Sequence, residues 1–295
     1  MEEVDPGWQK HFVARLGISR SSYYAPASIR LKRDKQAVAE VLAAHEQHQL
    51  YGVRRLSLHL GWSQHKTRRI RTLAGVRIAR PSKKKRYGTS AEAEILAAPN
   101  ALKRFAHYRN EHRPQDGLSY AGMVDSGGWV QDFTYLWFER SWHYLAVVLD
   151  LKTRQVVGWR LGMRHTSELT HAALTDALAK HPSPSILHSD QGTEYLSYKH
   201  QLTCDRYEIT LSCSSKASPW QNGFMERFFG SFKPELGKLR QYQDVAQLYE
   251  AIALTVHYYN YDRIHTALQM SPAAYAASLI PATLDSERVS EKVVA

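Results

Sequence analysis

The sequence predicts an α/β protein with a mixed sheet, preceded by a small all-helical region. Three observations predict it. Between Trp129 and Leu161, three runs rich in β-branched and aromatic residues follow one another with only tight turns between them. Beyond them, helical and strand patterns alternate. Ahead of Arg80, amphipathic helical segments are punctuated at Tyr51-Gly52 and Gly61.

Residues 8–24 read as a short helix, a turn at Gly17 and the entry to a second helix. Residues 33–49 form a strong amphipathic helix with Val38, Val41, Leu42 and His45 near one face. A helix over Val53–Leu60 carries Arg54 and Arg55, Gly61 makes the turn, and a helix over Lys66–Leu73 carries Arg68, Arg69 and Arg71. Helix, glycine turn and basic helix is the layout of a DNA-reading helix-turn-helix. The run Ala79–Arg86 is a basic linker with Lys83, Lys84, Lys85 and Arg86, and residues 87–118 are a connector broken at Pro99 and Pro114. Trp129–Glu139, Trp142–Asp150 and Arg154–Leu161 should form an antiparallel meander. Then come a helix over Thr166–Lys180, a short buried strand over Ser185–Ser189, a helix over Thr193–Arg206 and a strand over Ile209–Ser212. An amphipathic helix opens near Glu226, and Pro234 should stop or kink it just past Lys233. Residues 244–260 are a long apolar helix with Val245, Leu248, Ile252, Thr255, Val256 and Tyr259; Tyr261–Ala277 is a loop and short helix ahead of a charged tail. The resulting division is 1–80, helical and DNA-binding; 81–125, basic extended linker; 126–240, core; 241–295, C-terminal helix and tail.

Composition narrows the function. A chain of 295 residues suits two domains, and 43% hydrophobic content supports a core. Cys204 and Cys213 are the only cysteines, so neither a disulfide framework nor a CxxC pair is present, and fifteen histidines without paired cysteines do not make a zinc site. No run of 18 apolar residues occurs, and MEEVDPGWQK lacks the order of a signal peptide, so a cytoplasmic, nucleoid-associated protein is expected. Net charge is +11, and its placement matters more than its size. Residues 1–90 hold 19 basic and 6 acidic residues, whereas residues 91–295 hold 20 and 22. The basic excess therefore lies wholly in the N-terminal third, as expected of a part that neutralises phosphates.

Three carboxylates stand in distinctive contexts. Asp132 lies in WVQDFTYL, inside a strand; flanked by Val130, Phe133 and Tyr135, which should be buried or half-buried, it needs a partner or a metal. Asp190, in ILHSDQGTEY, falls where a strand stops, and Gly192 lets the backbone turn closely. Glu226 follows Asn222-Gly223 in the first turns of a helix, and Lys233 lies seven residues on, along the same face. Three acids from two strands and a helix make an oxygen-rich site suited to Mg²⁺ or Mn²⁺. Two such ions about 3.5–4 Å apart can activate an attacking oxygen and stabilise a leaving one on phosphorus.

These segments resemble the RNase H-like transposases and integrases with an Asp, Asp, Glu triad, and most of all OrfB, the second-frame transposase of insertion sequence family three. The 35 residues between Asp190 and Glu226 fit that family, as do LGISRSSYYAP, YGVRRLSLHLG and YYNYDRIHTALQMSPAAY. The resemblance implies an RNase H-like mixed five-stranded sheet flanked by helices, a catalytic and metal-binding triad of Asp132, Asp190 and Glu226, and two Mg²⁺ or Mn²⁺ ions. It implies cleavage and strand transfer at element ends; a nuclease that only hydrolyses and a non-catalytic DNA-binding derivative are the rival expectations. Lys233 would hold a DNA phosphate, His188 and Gln191 would shape the site, touch DNA or serve packing alone, and Asn222 would shape the site. Where many members have an Asp-Asn pair, Gln221-Asn222 stands here, which removes any role for that Asp. Asn260, Arg263 and His265 match the family's element after the core and are taken as structural. DNA, further copies of the chain, and an upstream-frame end-binding partner or fusion are the implied partners, and no membrane is among them.

Overall fold

A computed structural model describes residues 15, 27–78, 100–101, 107–108, 118–119, 127–190, 192–214 and 222–280. The helices expected over residues 8–24, the basic run Lys83, Lys84, Lys85 and Arg86, and Gln191 lie outside the described residues. Two compact units divide the chain, Met1–Arg80 and Pro81–Ala295.

In the first unit, α1 (Ala27–Gln47), α2 (Val53–Leu60) and α3 (Gln64–Leu73) form a small helical cluster. Gly61, at φ +64°, ends α2 with its N–H bonded to the Leu58 carbonyl, and the Ser63 side chain caps α3 by accepting from the Lys66 N–H. The buried stripe of α1 is Ala37, Val41, Ala44 and then His48, not the expected Val38, Leu42 and His45; Leu42 is exposed. Close approach of neighbouring helices favours small side chains, so two alanines take the inward positions and turn the stripe by one residue. Ile70 and Thr67 on α3 are fully buried against this stripe's side of the cluster.

In the second unit, β3 (Gly128–Phe138), β4 (Ser141–Asp150) and β5 (Val156–Gly162) make the expected meander. The two-residue turn Glu139-Arg140 uses positive φ at both positions, which matches the right-handed twist of the flanking strands. Helix α4 (Ser167–Leu178) leads to β6 (Ile186–Ser189), α5 (Tyr198–Arg206) and β7 (Thr210–Cys213). Strand order is β5-β4-β3-β6-β7, with β6 and β7 parallel to β3 and each other. This is an RNase H-like mixed five-stranded sheet. A two-stranded pair, β1 (His107–Tyr108) with β2 (Leu118–Ser119), lies apart from it.

Period-2 alternation divides the core in two. Val130, Leu136, Phe138, Leu145 and Val147 pack beneath α6 (Gly223–Leu236) and α7 (Val245–His257). Trp129, Ala146, Val148 and Val157 pack with residues of α4 and α5 on the opposite face. Gly158 is required where α4 crosses β5, because a Cβ there would meet the Ala173 carbonyl oxygen at 2.3 Å.

Helix α1 begins at Ala27, well before the expected residue 33, and three boundaries of the second unit also differ from expectation. The stretch Thr193–Arg206 is not one helix: a 3₁₀ turn over Thr193–Leu196 is separated from α5 by Ser197 in extended conformation. Helix α6 runs through Pro234 to Leu236. Burying Phe232 and Leu236 outweighs a proline penalty of about 3 kcal/mol, and only a half-turn remains to be held. Finally, α7 gives way at Tyr258 to a π-helical turn over Tyr258–Asp262, followed by α8 (Pro272–Ser278).

Candidate acidic site

Asp132 owes its place to sheet register. Val130 pairs with His188 across the parallel β3–β6 ladder, so two residues on, Asp132 comes level with Asp190 just past the end of β6. Laterally paired residues in a sheet point to the same face, and here that face is the one covered by α6. Asp132 Oδ1 accepts from the Phe133 N–H at 2.8 Å, and Asp190 Oδ1 accepts from the Gly192 N–H at 3.0 Å. Burial first, and then the Asp190 charge, hold the Asp132 carboxyl well above the usual range, with Glu194 and Glu226 adding to the effect. Burial also raises the Asp190 carboxyl, against the opposing pull of the Gly192 N–H and His165.

Glu226 projects from the first turn of α6 and is exposed. Its neighbours Met225, Phe228, Phe229 and Phe232 are buried in the core, which fixes the helix that carries it. Among the described residues, no group of three or more His, Cys, Asp or Glu side chains already stands in a metal-holding arrangement. What the geometry brings near one another is acids, whose charges act on Asp132. Asp132 and Asp190 stand level on one face, and Glu226 belongs to the helix packed on that face. Their oxygens are the donors a hard divalent cation takes, and such a cation would relieve the repulsion that raises Asp132.

A fourth acid was missed from sequence. Glu194 is buried, folds back over Gly192 so closely that a Cβ there would meet its Oε1 at 2.1 Å, and pairs with His165 Nε2 at 3.0 Å. Its own carboxyl is raised by burial, with His165 opposing. Gly192 therefore serves this return as well as the turn after Asp190. The signal lay in the HSDQGTEY segment, but only the 3₁₀ turn brings its Glu back.

The remaining expected residues scatter. His188 is fully buried, with Nδ1 at 2.8 Å from the Ser212 hydroxyl and Nε2 at 3.1 Å from that of Ser214, so it ties β6 to β7. Asn222 occupies the N-cap position of α6; it is buried, and neither its amide nitrogen nor its oxygen is hydrogen-bonded. Lys233 Nζ donates to the Tyr135 carbonyl at 3.1 Å along the sheet edge. Tyr135, expected to be buried or half-buried, is instead 50% exposed, with its covering limited to neighbouring rings such as Tyr144 and Trp142. In the helical unit, Arg54 and Arg68 are exposed, Arg71 is half-buried, Arg55 lies 6.0 Å from the Tyr51 ring, and both Arg69 Nη atoms donate to Asp34 at 2.8 Å. That fork ties α3 to α1. Asn260 grips β5, donating to the Val156 carbonyl and accepting from its N–H, each at 2.9 Å. Arg263, also buried, pairs with Glu235 of α6.

Sheet order and the acids at its centre define an RNase H-like core preceded by a helical, helix-turn-helix-like region. Two models described as "Integrase core domain" match residues 126–219 and 207–272. The chain is 31% identical over 276 residues to the "Insertion element IS600 uncharacterized 31 kDa protein" of Shigella sonnei, covering 88% of this chain and 95% of that one. It is 30% identical to the "Transposase for insertion sequence element IS904" of Lactococcus lactis, covering 62% of this chain and 76% of that one. The catalytic core domain of HTLV-2 integrase, solved with magnesium, is 22% identical with a TM-score of 0.44, over 51% of this chain and 95% of that one. The chain belongs to the insertion-sequence transposase family of the IS3 and IS150 kind, which carries the integrase core domain.

Proposed function

We propose that this chain is the OrfB-type transposase of its element, and that Asp132, Asp190 and Glu226 carry DNA cleavage and strand transfer. The observation that carries the reading is the lateral register of Asp132 with Asp190 on the face covered by the helix bearing Glu226, where burial and the neighbouring carboxylates raise the Asp132 carboxyl. When bound, a pair of Mg²⁺ or Mn²⁺ ions supplies Lewis acidity to the attacking and leaving oxygens. The chain's part is positioning. Asp132 is anchored by the Phe133 N–H and Asp190 by the Gly192 N–H, and Glu226, in the first turn of α6, would complete the set. In the first reaction, water attacks phosphorus at the element end, the P–O3′ bond breaks, and a 3′-hydroxyl is released. In the second, that hydroxyl attacks a target phosphodiester, one P–O bond forms as another breaks, and no covalent enzyme intermediate is needed. Lys233, on the same helix as Glu226, would hold a phosphate of the bound end.

DNA would be engaged through the helical unit by Arg54, Arg55, Arg68 and Arg71 and by the basic run Lys83, Lys84, Lys85 and Arg86. Two copies of the chain are proposed to act on two ends, alone or with an upstream-frame end-binding partner. The test is incubation with element-end duplexes and Mg²⁺ or Mn²⁺, wild type against Glu226→Gln. Cleavage and joined products from the wild type alone support the reading. Cleavage without joining reduces it to a hydrolase, and neither product, with DNA bound, leaves a non-catalytic derivative.

A further inference from the structure

The β3–β4 hairpin carries large aromatic side chains that the fold leaves in solvent. Tyr135, Trp137 and Trp142 are 50%, 53% and 49% exposed, and Met163 beside them is 68% exposed. Register makes them a ladder: Tyr135 pairs with Tyr144 and Trp137 with Trp142, all on the face away from α6. Ring centroids are 5.3 Å apart for Tyr135–Tyr144, 6.0 Å for Tyr135–Trp142 and 4.9 Å for Trp137–Trp142. The inner end of this ladder is His165, stacked on Tyr144 and 3.8 Å from Phe133, the residue next to Asp132.

We propose that this ladder is a stacking platform for unpaired bases of the DNA strand engaged at the acidic site. The inference rests on the functional reading above and specifies the form of DNA that the site takes. Composition favours bases over a second protein surface: the exposed side chains are aromatic rings, with Met163 the one aliphatic group and no Leu, Ile or Val among them. Charge favours it as well. Lys233 lies along Tyr135, Arg140 is at the hairpin tip and Arg164 is exposed between Met163 and His165; Glu139 is the acid at the tip, and the acids of the candidate site lie at the ladder's inner end, where His165 pairs with Glu194. Position favours it too. β6 pairs with β3 only as far as Val130, and among the described residues no other strand pairs with β3 on that side, so a strand leaving Asp132 can pass that edge, where Lys233 sits, to reach the rings. Tyr135 lies about 10 Å and Trp137 about 17 Å along β3 from Asp132. The Tyr135 hydroxyl is pushed up by burial and Tyr144, then by Glu194, Asp190 and Asp132, in keeping with that proximity.

The test is the affinity of the full chain, in EDTA, for blunt duplexes and for the same duplexes bearing a short single-stranded tail, read by fluorescence anisotropy. The tail should tighten wild-type binding about tenfold, as expected of one well-stacked base, and Trp137→Ala with Trp142→Ala should erase that gain. A 2-aminopurine in the tail should be quenched on wild-type binding, a readout that does not depend on the variant folding. An absent gain, an unquenched tail, or a folded double variant that keeps the gain overturns the inference. So does a double variant that changes only self-association in sedimentation. Metal-dependent cleavage lost in Glu226→Gln but accompanied by no tail effect would sink this inference alone. Cleavage indifferent to Glu226→Gln would sink the functional reading instead.

Discussion

Asp132 sits where its charge is costly without a cation: desolvated, level with Asp190 and within the fields of Glu194 and Glu226. Function and stability should therefore trade off at this residue. Asp132→Asn keeps an oxygen to accept the Phe133 N–H but removes the repulsion. Metal-dependent DNA cleavage should fall at least about a thousandfold, while the melting temperature in EDTA rises by a few degrees, roughly 1 kcal/mol. Calorimetry and a nicking assay on the same preparation check both. His200 offers a second prediction at this scale. It is fully buried, receives the Gln131 side-chain amide at 2.8 Å, and has its pKa lowered by burial to about 4. A folded-state pKa below the ordinary 6.5 means that the unfolded chain binds the proton first. The contribution is thus complete above about pH 6.5 and is lost as pH falls toward 4, with a magnitude on the order of 3 kcal/mol. Urea unfolding at pH 7 and pH 4.5 should show a smaller loss in His200→Gln than in wild type. Glu194 marks what the sequence could not tell at this scale. The three expected acids could be picked out by their contexts, but the role of Glu194 depends on a chain reversal over Gly192 that no periodicity announces.

Strands were the most legible elements, because tight turns and two-residue alternation bracket β3, β4 and β5 to within two residues. Helices were legible in existence and less so in detail. Ser197 breaks an otherwise helical run, and α6 passes Pro234 because its buried side chains outvote the backbone. Helix α6 also shows how elements beyond the sheet serve the site. Arg263, 2% exposed, pairs with Glu235 on α6, and Arg154 lies 4.4 Å from the Phe224 ring at the helix's first turn. These contacts join the C-terminal segment and the β4–β5 turn to the helix carrying Glu226. Arg263→Met strands the Glu235 charge and should cost about 3–5 kcal/mol; pairing it with Glu235→Leu should recover most of that. Chemical denaturation of the two single variants and the double variant measures the coupling, and additive losses would argue against a brace. At β5, Gly158→Ala should destabilise by roughly 1–3 kcal/mol, since its methyl meets the Ala173 backbone oxygen rather than a movable side chain.

For the whole molecule, charge is divided more sharply than structure. The first ninety residues carry the basic excess, while the remainder, which holds the acids of the candidate site, is near neutral. Such a division fits one part gripping phosphates and another reacting on them. DNA affinity should then fall steeply with salt, and Arg54→Ala with Arg68→Ala should flatten the slope of log K against log salt by about 1–2. An unchanged slope would place the phosphate contacts elsewhere. The RNase H-like order of strands was legible only through resemblance to a family, since local pattern alone reaches no further than a mixed sheet. The division of charge was legible from composition alone. The most direct check on the account is calorimetric titration of Mn²⁺ into the chain bound to an element-end duplex with a non-cleavable linkage. Wild type should take up about two ions per active site, and Asp132→Asn, Asp190→Asn and Glu226→Gln should each lose one or both; equal uptake by wild type and all three variants would contradict it.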